Sequence, residues 1–588
     1  MVNPVPLLSV SGLQINFCGG KEAPVRVVEG VHLTLQKGEV LALVGETGSG
    51  KTATSLALLQ LLPSSPAQVV AGKAIFQSRQ LGEVDLLQLP AKEMQKIRGR
   101  EISMVFQEPM SALNPVMRCG KQVAEALQIH FNLSKTAARQ QAIELLALVQ
   151  LPNPEQKYQA YPHELSGGQK QRVMIAMALA CNPSVLMADE PTTALDVTVQ
   201  SAILDLLRTL CQQRQMAMLF VTHDLGVVAE IADRVAVLYQ GKVVEEGTVK
   251  EVLQHPQHPY TKGLLACRPS LHTKSAILPT VADFLLSESA AEQVPEILGK
   301  DKQVKVNREE LLQPVSQSQP PLIQVKDLRV HLPLGRNFFG RPRDVVKAVD
   351  GVSFEIHPGE TVALVGESGC GKTTLGRALL RLLEPTAGTI LLNGETWKNL
   401  SAAELRKRRK EFQIIFQDPL AALNPYTRIG EAIMEPMQAH GVLKSGRERK
   451  QHVEVLLQKV NLRPEHFHRY PHQLSGGQLQ RINIARALAL QPSCIVCDEA
   501  VSSLDASVQA QVLNLLNQLK QEFNMTYLFI THDLAVARFM ADRIFVMHQG
   551  KIVEQGTAEQ IFENPQHGYT KTLLQSVPGA SVHDFLTP

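Results

Sequence analysis

Gly45-Glu46-Thr47-Gly48-Ser49-Gly50-Lys51-Thr52 fits the pattern G-x-x-x-x-G-K-[ST] at every fixed position, and the chain repeats it as Gly366-Glu367-Ser368-Gly369-Cys370-Gly371-Lys372-Thr373. Each copy follows a short apolar run that reads as a buried strand, Val40 to Val44 and Thr361 to Val365, and the first precedes a helix-like run from Ala53 to Leu62. A loop in that setting turns backbone N–H groups and the positive end of a helix toward phosphate oxygens. Gly45, Gly48 and Gly50, with Gly366, Gly369 and Gly371, let the backbone close around the phosphates. Lys51 and Lys372 reach the outer phosphates, and Thr52 and Thr373 are placed to ligate Mg²⁺. A glycine-rich turn with a chance lysine does not account for two copies with matching flanks.

Outward from the loops, 588 residues exceed what one core organises, so the repeat implies two tandem domains of similar size. A formal net charge of +3 gives no global basic field that would argue for nucleic acid, and none is expected as a partner. No apolar run approaches the length that spans a bilayer, and Met1 to Val10 lacks the regions of a signal peptide. A cytosolic chain, or one attached to a membrane through partners, is expected. Cys494 and Cys497 form a C-x-x-C, but within a strand the two side chains point to opposite faces, which disfavours a metal.

Ser166 aligns with Ser475, Asp189 with Asp498 and His223 with His532 at one common offset, so the halves are a duplication. Between them, residues 268–320 lose clear periodicity and collect Ser, Gln, Glu and Pro, which reads as a linker with short helical pieces between domains at 1–267 and 321–588.

Val185 to Ala188 is an apolar run ending in Asp189-Glu190, and Ile495 to Cys497 ends in Asp498-Glu499. A buried parallel strand delivers such carboxylates at its carboxyl end, where an open α/β sheet binds ligand. Asp189 and Asp498 are candidates to hold Mg²⁺, and Glu190 and Glu499 to polarise the attacking water. His223 and His532 end two further strand-like runs and are candidates for γ-phosphate contact; Gln107 and Gln417 end another pair and carry amides able to ligate Mg²⁺ or water. Leu165-Ser166-Gly167-Gly168-Gln169 and Leu474-Ser475-Gly476-Gly477-Gln478 open helix-like runs and read as second phosphate-binding helix starts. Two phosphate binders per half exceed what one nucleotide needs, which implies sharing across an interface.

These residues in this order resemble the ATP-binding cassette family: phosphate loop, Gln loop, LSGGQ signature, acidic strand, a D-loop ending at Asp196 and Asp505, and a switch histidine. The resemblance implies an α/β fold of two tandem P-loop ATPase domains, each with a helical subdomain, closing as an intramolecular head-to-tail sandwich over two ATP. One site would combine Lys51, Thr52, Gln107, Asp189, Glu190 and His223 with Ser475 and Gly477, and the other Lys372, Thr373, Gln417, Asp498, Glu499 and His532 with Ser166 and Gly168.

Gln107 to Pro115, Gln417 to Pro425, Tyr161-Pro162-His163 and Pro256-Gln257-His258-Pro259-Tyr260-Thr261 are similar to the peptide and nickel importer ATPases. That resemblance implies a peripheral protein on the cytoplasmic face of a bacterial inner membrane, one chain per transporter, with two permease subunits and a solute-binding protein. In Asp498 to Asp505 and Glu435 to Gly441 the chain resembles fused glutathione-importer ATPases, and that resemblance implies glutathione as the imported substrate, with microcin C-type or other oligopeptides as the alternative. A soluble ribosome-associated double cassette is the rival of another class. Only Cys267 lies in the segment where some relatives carry a cysteine cluster, so no iron–sulfur cluster is expected. Phe17 stands where the family stacks an aromatic ring on adenine, but its counterpart is Leu332, for which Phe338 or Phe339 is a candidate substitute. Ala500 replaces the proline seen as Pro191.

Overall fold

In the computed structural model, residues 5–18, 24–63, 66–192, 195–269, 277–289, 320–336, 342–398 and 400–576 are described. Each half carries two sheets. In the first, an antiparallel sheet runs in the order Val25–Leu35, Leu8–Phe17, Ala67–Ser78, Gly82–Asp85. The second sheet runs Lys242–Thr248, Arg234–Tyr239, Val40–Val44, Ala217–Thr222, Val185–Asp189, Ile102–Val105, parallel except at the Lys242–Thr248 edge. The strand leading into the phosphate loop is thus flanked by two partners, and all five of its residues are buried. Its unbroken apolar run follows from that position, because helices cover both faces of a parallel sheet.

The second half repeats the plan: Pro342–Ile356, Ile323–Arg336, Ala387–Leu392, Glu395–Thr396 in one sheet, and Phe412–Ile415, Cys494–Asp498, Thr526–Ile530, Thr361–Val365, Arg543–His548, Lys551–Thr557 in the other. The antiparallel sheets absorb the length differences between halves. The hairpin before the second loop has strands of 14 and 15 residues against 10 and 11, while the strand after it has 6 against 12. Phe338 and Phe339 lie outside the described residues.

Between the Gln loop and the signature each half inserts helices, Cys119–Phe131, Lys135–Leu148 and Pro154–Gln159 in the first, Ile429–Ala439 and Gly446–Lys459 in the second. Ser134 caps the second of these by accepting the Ala137 N–H. Val123, Leu127, Ala138, Ala142 and Leu146 turn inward to one core with Val173 of the helix that follows the signature. The helix after the first phosphate loop, Lys51–Leu58, is shorter than its apolar run. Gln60 adopts a left-handed φ of 49° and its amide donates to the carbonyls of Leu86 and Leu89, which ends the helix ahead of Pro63.

The chain divides into two compact units, one centred on the first half to Leu265 and the other on the second half. The described residues 266–269 and 277–283 belong to the second unit although they follow the first half in sequence. There the Asn514 side chain accepts the Leu278 N–H at 2.9 Å and donates to the Leu278 carbonyl at 2.8 Å, and Leu278 is buried. A helix, Val281–Ser289, lies within the segment read as a linker. Among the described residues no helix is long and apolar enough to cross a membrane.

Candidate nucleotide site

Gly50 and Gly371 open the helices Lys51–Leu58 and Lys372–Leu379 at φ of 105° and 109°, a region closed to other residues without strain. A β-carbon on Gly50 would sit 2.7 Å from the Val27 carbonyl oxygen, so packing forbids one as well. The Lys51 ammonium is held within its own loop, donating to the carbonyls of Gly45 at 2.6 Å and Glu46 at 3.0 Å; Lys372 does the same to Gly366 and Glu367 at 2.7 and 2.8 Å. Among the described residues the buried Ser49 Oγ has no hydrogen-bond partner.

The strand ends bring the predicted groups together. Thr52 Oγ1 donates to Asp189 Oδ1 at 3.1 Å, and Thr373 to Asp498 at 2.8 Å. Burial pushes the Asp189 carboxyl up to about 6, the Thr52 hydroxyl opposes, and the adjacent Glu190 charge adds to the rise; Asp498 shifts the same way for the same causes. A cation here would relieve that cost. Among the described residues no three His, Cys, Asp or Glu side chains cluster as a metal cage, but Mg²⁺ needs only hard oxygen donors beside phosphate and water, and the Thr–Asp pair supplies them.

Glu190 and Glu499 follow the acidic strands in left-handed backbone, φ 46° and 50°. Non-glycine residues held there are uncommon, and such strain concentrates at functional sites. The conformation is held from the neighbouring strand, whose Val221 and Ile530 carbonyls accept the Glu190 and Glu499 N–H groups. Each carboxylate is gripped from two sides. Gln107 Nε2 donates to Glu190 at 2.8 Å and His223 Nδ1 lies 3.0 Å from its other oxygen; Gln417 donates to Glu499 at 2.7 Å and His532 Nδ1 lies at 3.5 Å. For Glu499, burial raises the pKa, but the His532 hydrogen bond and charge outweigh it and the net shift is downward. For His532, burial lowers the pKa, and the hydrogen bond and charge of Glu499 outweigh that, so it rises.

The remaining predicted residues sit on other elements. Ser166 and Ser475 cap the helices Gly167–Leu179 and Gly476–Leu488 in reciprocal boxes with Gln169 and Gln478. A β-carbon on Gly168 would meet Val199 Cγ1 at 2.6 Å, and one on Gly477 would meet Val508 Cγ1 at 2.3 Å, so the helix after the D-loop demands glycine there. Asp196 caps that helix by accepting the Val199 N–H at 2.9 Å, and Asp505 occupies the matching position. Phe17 ends its strand opposite Val25 and Ala67, whereas Leu332 lies mid-strand and exposed. Of the tyrosines that contact the phosphate loops, Tyr260 was visible in sequence only as part of the segment Pro256 to Thr261, and Tyr569 stands at the matching place in the second half.

Residues 28–193 and 349–502 match the ABC transporter family, and residues 244–293 and 553–585 match the oligopeptide/dipeptide transporter C-terminal region. Proteins named glutathione import ATP-binding protein GsiA from Shigella sonnei, Escherichia coli K12 and Salmonella typhimurium are each 46% identical to this chain, over 98% of it and 90% of each of them. With two complete sets of strand-end groups behind two phosphate loops, the chain belongs to the ABC transporter family, as a fused double-cassette ATPase of the oligopeptide/dipeptide class.

Proposed function

We propose that the chain is the energy-coupling subunit of an importer for small peptides, with glutathione the favoured substrate. The relatives named for glutathione import support the substrate, and the carboxylate held between an amide and an imidazole in both halves supports the chemistry. The first ATP-binding domain spans residues 1–267 and the second 321–588, joined by 268–320. ATP binding draws them into a head-to-tail sandwich, with Ser475 and Gly477 completing the site of Lys51, and Ser166 and Gly168 that of Lys372. Phe17 takes the adenine ring. Asp196 and Asp505 lie at the sandwich seam. The protein works at the cytoplasmic face of a bacterial inner membrane, bound to two permease subunits that receive peptide from a solute-binding protein.

Lys51 and Lys372 exchange their loop carbonyls for the outer phosphates as ATP enters. Thr52 with Asp189, and Thr373 with Asp498, would hold Mg²⁺, assisted by Gln107 and Gln417. When bound, that ion would neutralise phosphate charge. Glu190 and Glu499, already oriented, accept a hydrogen bond from the attacking water, while His223 and His532 fix each carboxylate and contact the γ-phosphate.

The test is ATP hydrolysis by the chain reconstituted with its permeases and binding protein. Glutathione, but not other di- or tripeptides, is expected to stimulate phosphate release. Stimulation only by other peptides would move the substrate to that class, and stimulation by ribosomes instead of any permease would overturn the importer reading.

A further inference from the structure

The segment after the last two strands of each half reaches back to the phosphate loop. Tyr260, fully buried in the helix Pro259–Ala266, accepts the Glu46 N–H on its phenol oxygen at 3.0 Å. Tyr569 accepts the Glu367 N–H at the same 3.0 Å. The approach is built identically in both halves. Glu245 accepts the N–H groups of Gln257 and His258 at 2.7 and 3.1 Å, and His258 Nδ1 accepts the Tyr260 N–H at 3.2 Å. Glu554 accepts those of Gln566 and His567 at 2.7 and 3.1 Å, and His567 Nδ1 accepts the Tyr569 N–H at 3.1 Å. Each tyrosine ring also packs on an aromatic ring of the preceding hairpin, Tyr239 at 4.2 Å and His548 at 4.0 Å between centroids.

The residue pinned this way is the one that parks the catalytic lysine. The carbonyls of Glu46 and Glu367 accept from the Lys51 and Lys372 ammonium groups, so the phenol and the lysine hold the same loop residue from its N–H and C=O sides. We infer that Tyr260 and Tyr569 are positioning residues for nucleotide binding, each fixing the second residue of its phosphate loop so that the lysine starts from one defined place. The inference rests on reading these loops as nucleotide sites. It gives the C-terminal region of each cassette, which matches the oligopeptide/dipeptide class, a direct part in ATP affinity.

Tyr260→Phe keeps the ring and removes only the phenol oxygen. In the full chain, calorimetric titration with Mg²⁺–ATP is expected to show one of two sites weakened roughly fivefold to tenfold, the scale of a lost buried hydrogen bond. KM for ATP rises with it, the smaller part of the change falls on kcat, and the melting temperature stays within about 2 °C, a ΔΔG below roughly 1 kcal/mol. Tyr569 is half-buried, so Tyr569→Phe reads the same effect in the second loop should the Tyr260 position not tolerate change, and the double variant weakens both sites. Wild-type affinity at both sites in these variants, or a lower melting temperature with affinity unaltered, overturns the inference and reduces the tyrosines to staples for their helices. A wild-type chain that binds no ATP would overturn the underlying site reading, and the inference with it.

Discussion

The two halves place the same charged groups on the same strand ends but surround them differently. Glu190 is held by His223 at 3.0 Å and followed by Pro191, while Glu499 has His532 at 3.5 Å and is followed by Ala500. The first loop carries Ser49 and the second Cys370; the first half offers Phe17 and the second an exposed Leu332. Duplication has preserved the groups proposed to touch phosphate and water and relaxed those proposed to touch adenine or stiffen the turn. Hydrolysis depends steeply on where a carboxylate sits, whereas base contact contributes affinity that the triphosphate already supplies in large part.

The comparison is broken most sharply at the glutamates. Glu190→Gln with Glu499→Gln is expected to depress phosphate release by roughly two to four orders of magnitude with ATP binding retained. Taken singly, Glu190→Gln costs the larger share, because its partner grip is tighter. Equal losses from the two single variants would show that the difference in histidine distance has no kinetic meaning. On the adenine side, Leu332→Phe is expected to tighten nucleotide binding at the second site by roughly 1 kcal/mol or more, and Phe17→Ala to weaken the first by about 1 to 3 kcal/mol, the range of base–aromatic stacking. Titration of each variant decides whether the halves truly differ there.

Gly168→Ala and Gly477→Ala both drive a methyl into a valine of the next helix, at 2.6 and 2.3 Å. Each should lower unfolding free energy by about 1 to 3 kcal/mol, the second somewhat more, as read by denaturant unfolding. The His532–Glu499 pair has a pH window. A histidine whose pKa is raised stabilises fully below its ordinary 6.5 and loses that contribution as pH climbs through the raised value; a carboxyl whose pKa is lowered contributes above 4.5 and loses it as pH falls. His532→Gln should therefore cost most stability between those limits, and a pH-independent difference from wild type would break the ion-pair description. The smallest effect is chemical. Burial holds the Cys370 thiol up despite Lys372 beside it, so N-ethylmaleimide should inactivate the second loop slowly, ATP should protect it, and Cys370→Ser should abolish the response.

Much of this site was legible because its groups lie at the ends of continuous apolar strands. Val40–Val44, Val185–Asp189 and Thr361–Val365 read as buried strands in the sequence, and the residue after each, Gly45, Glu190 and Gly366, had to emerge at one edge of a parallel sheet. The helix after the first loop was overread, since nothing local announces that Gln60 turns left-handed to bond Leu86 and Leu89, residues distant in sequence. The left-handed backbone at Glu190 and Glu499 was equally hidden: glutamate has no preference for it, and hydrogen bonds that its N–H donates to the Val221 and Ile530 carbonyls hold it. The clamp that Asn514 places on the Leu278 backbone could not be foreseen, because Leu278 lies in a segment whose composition reads as a spacer.

By itself, the sequence determined the duplication, the strand–loop–helix units and the choice of candidate reacting groups, because phosphate binding demands particular residues at fixed short spacing. Tertiary structure alone decided which groups hold one another. Glu190 with Gln107 and His223, Tyr260 with Glu46, and Gly168 against Val199 are all contacts between elements far apart in the chain. Local periodicity carries no record of such pairs, since they exist only once the sheet has set the order of its strands.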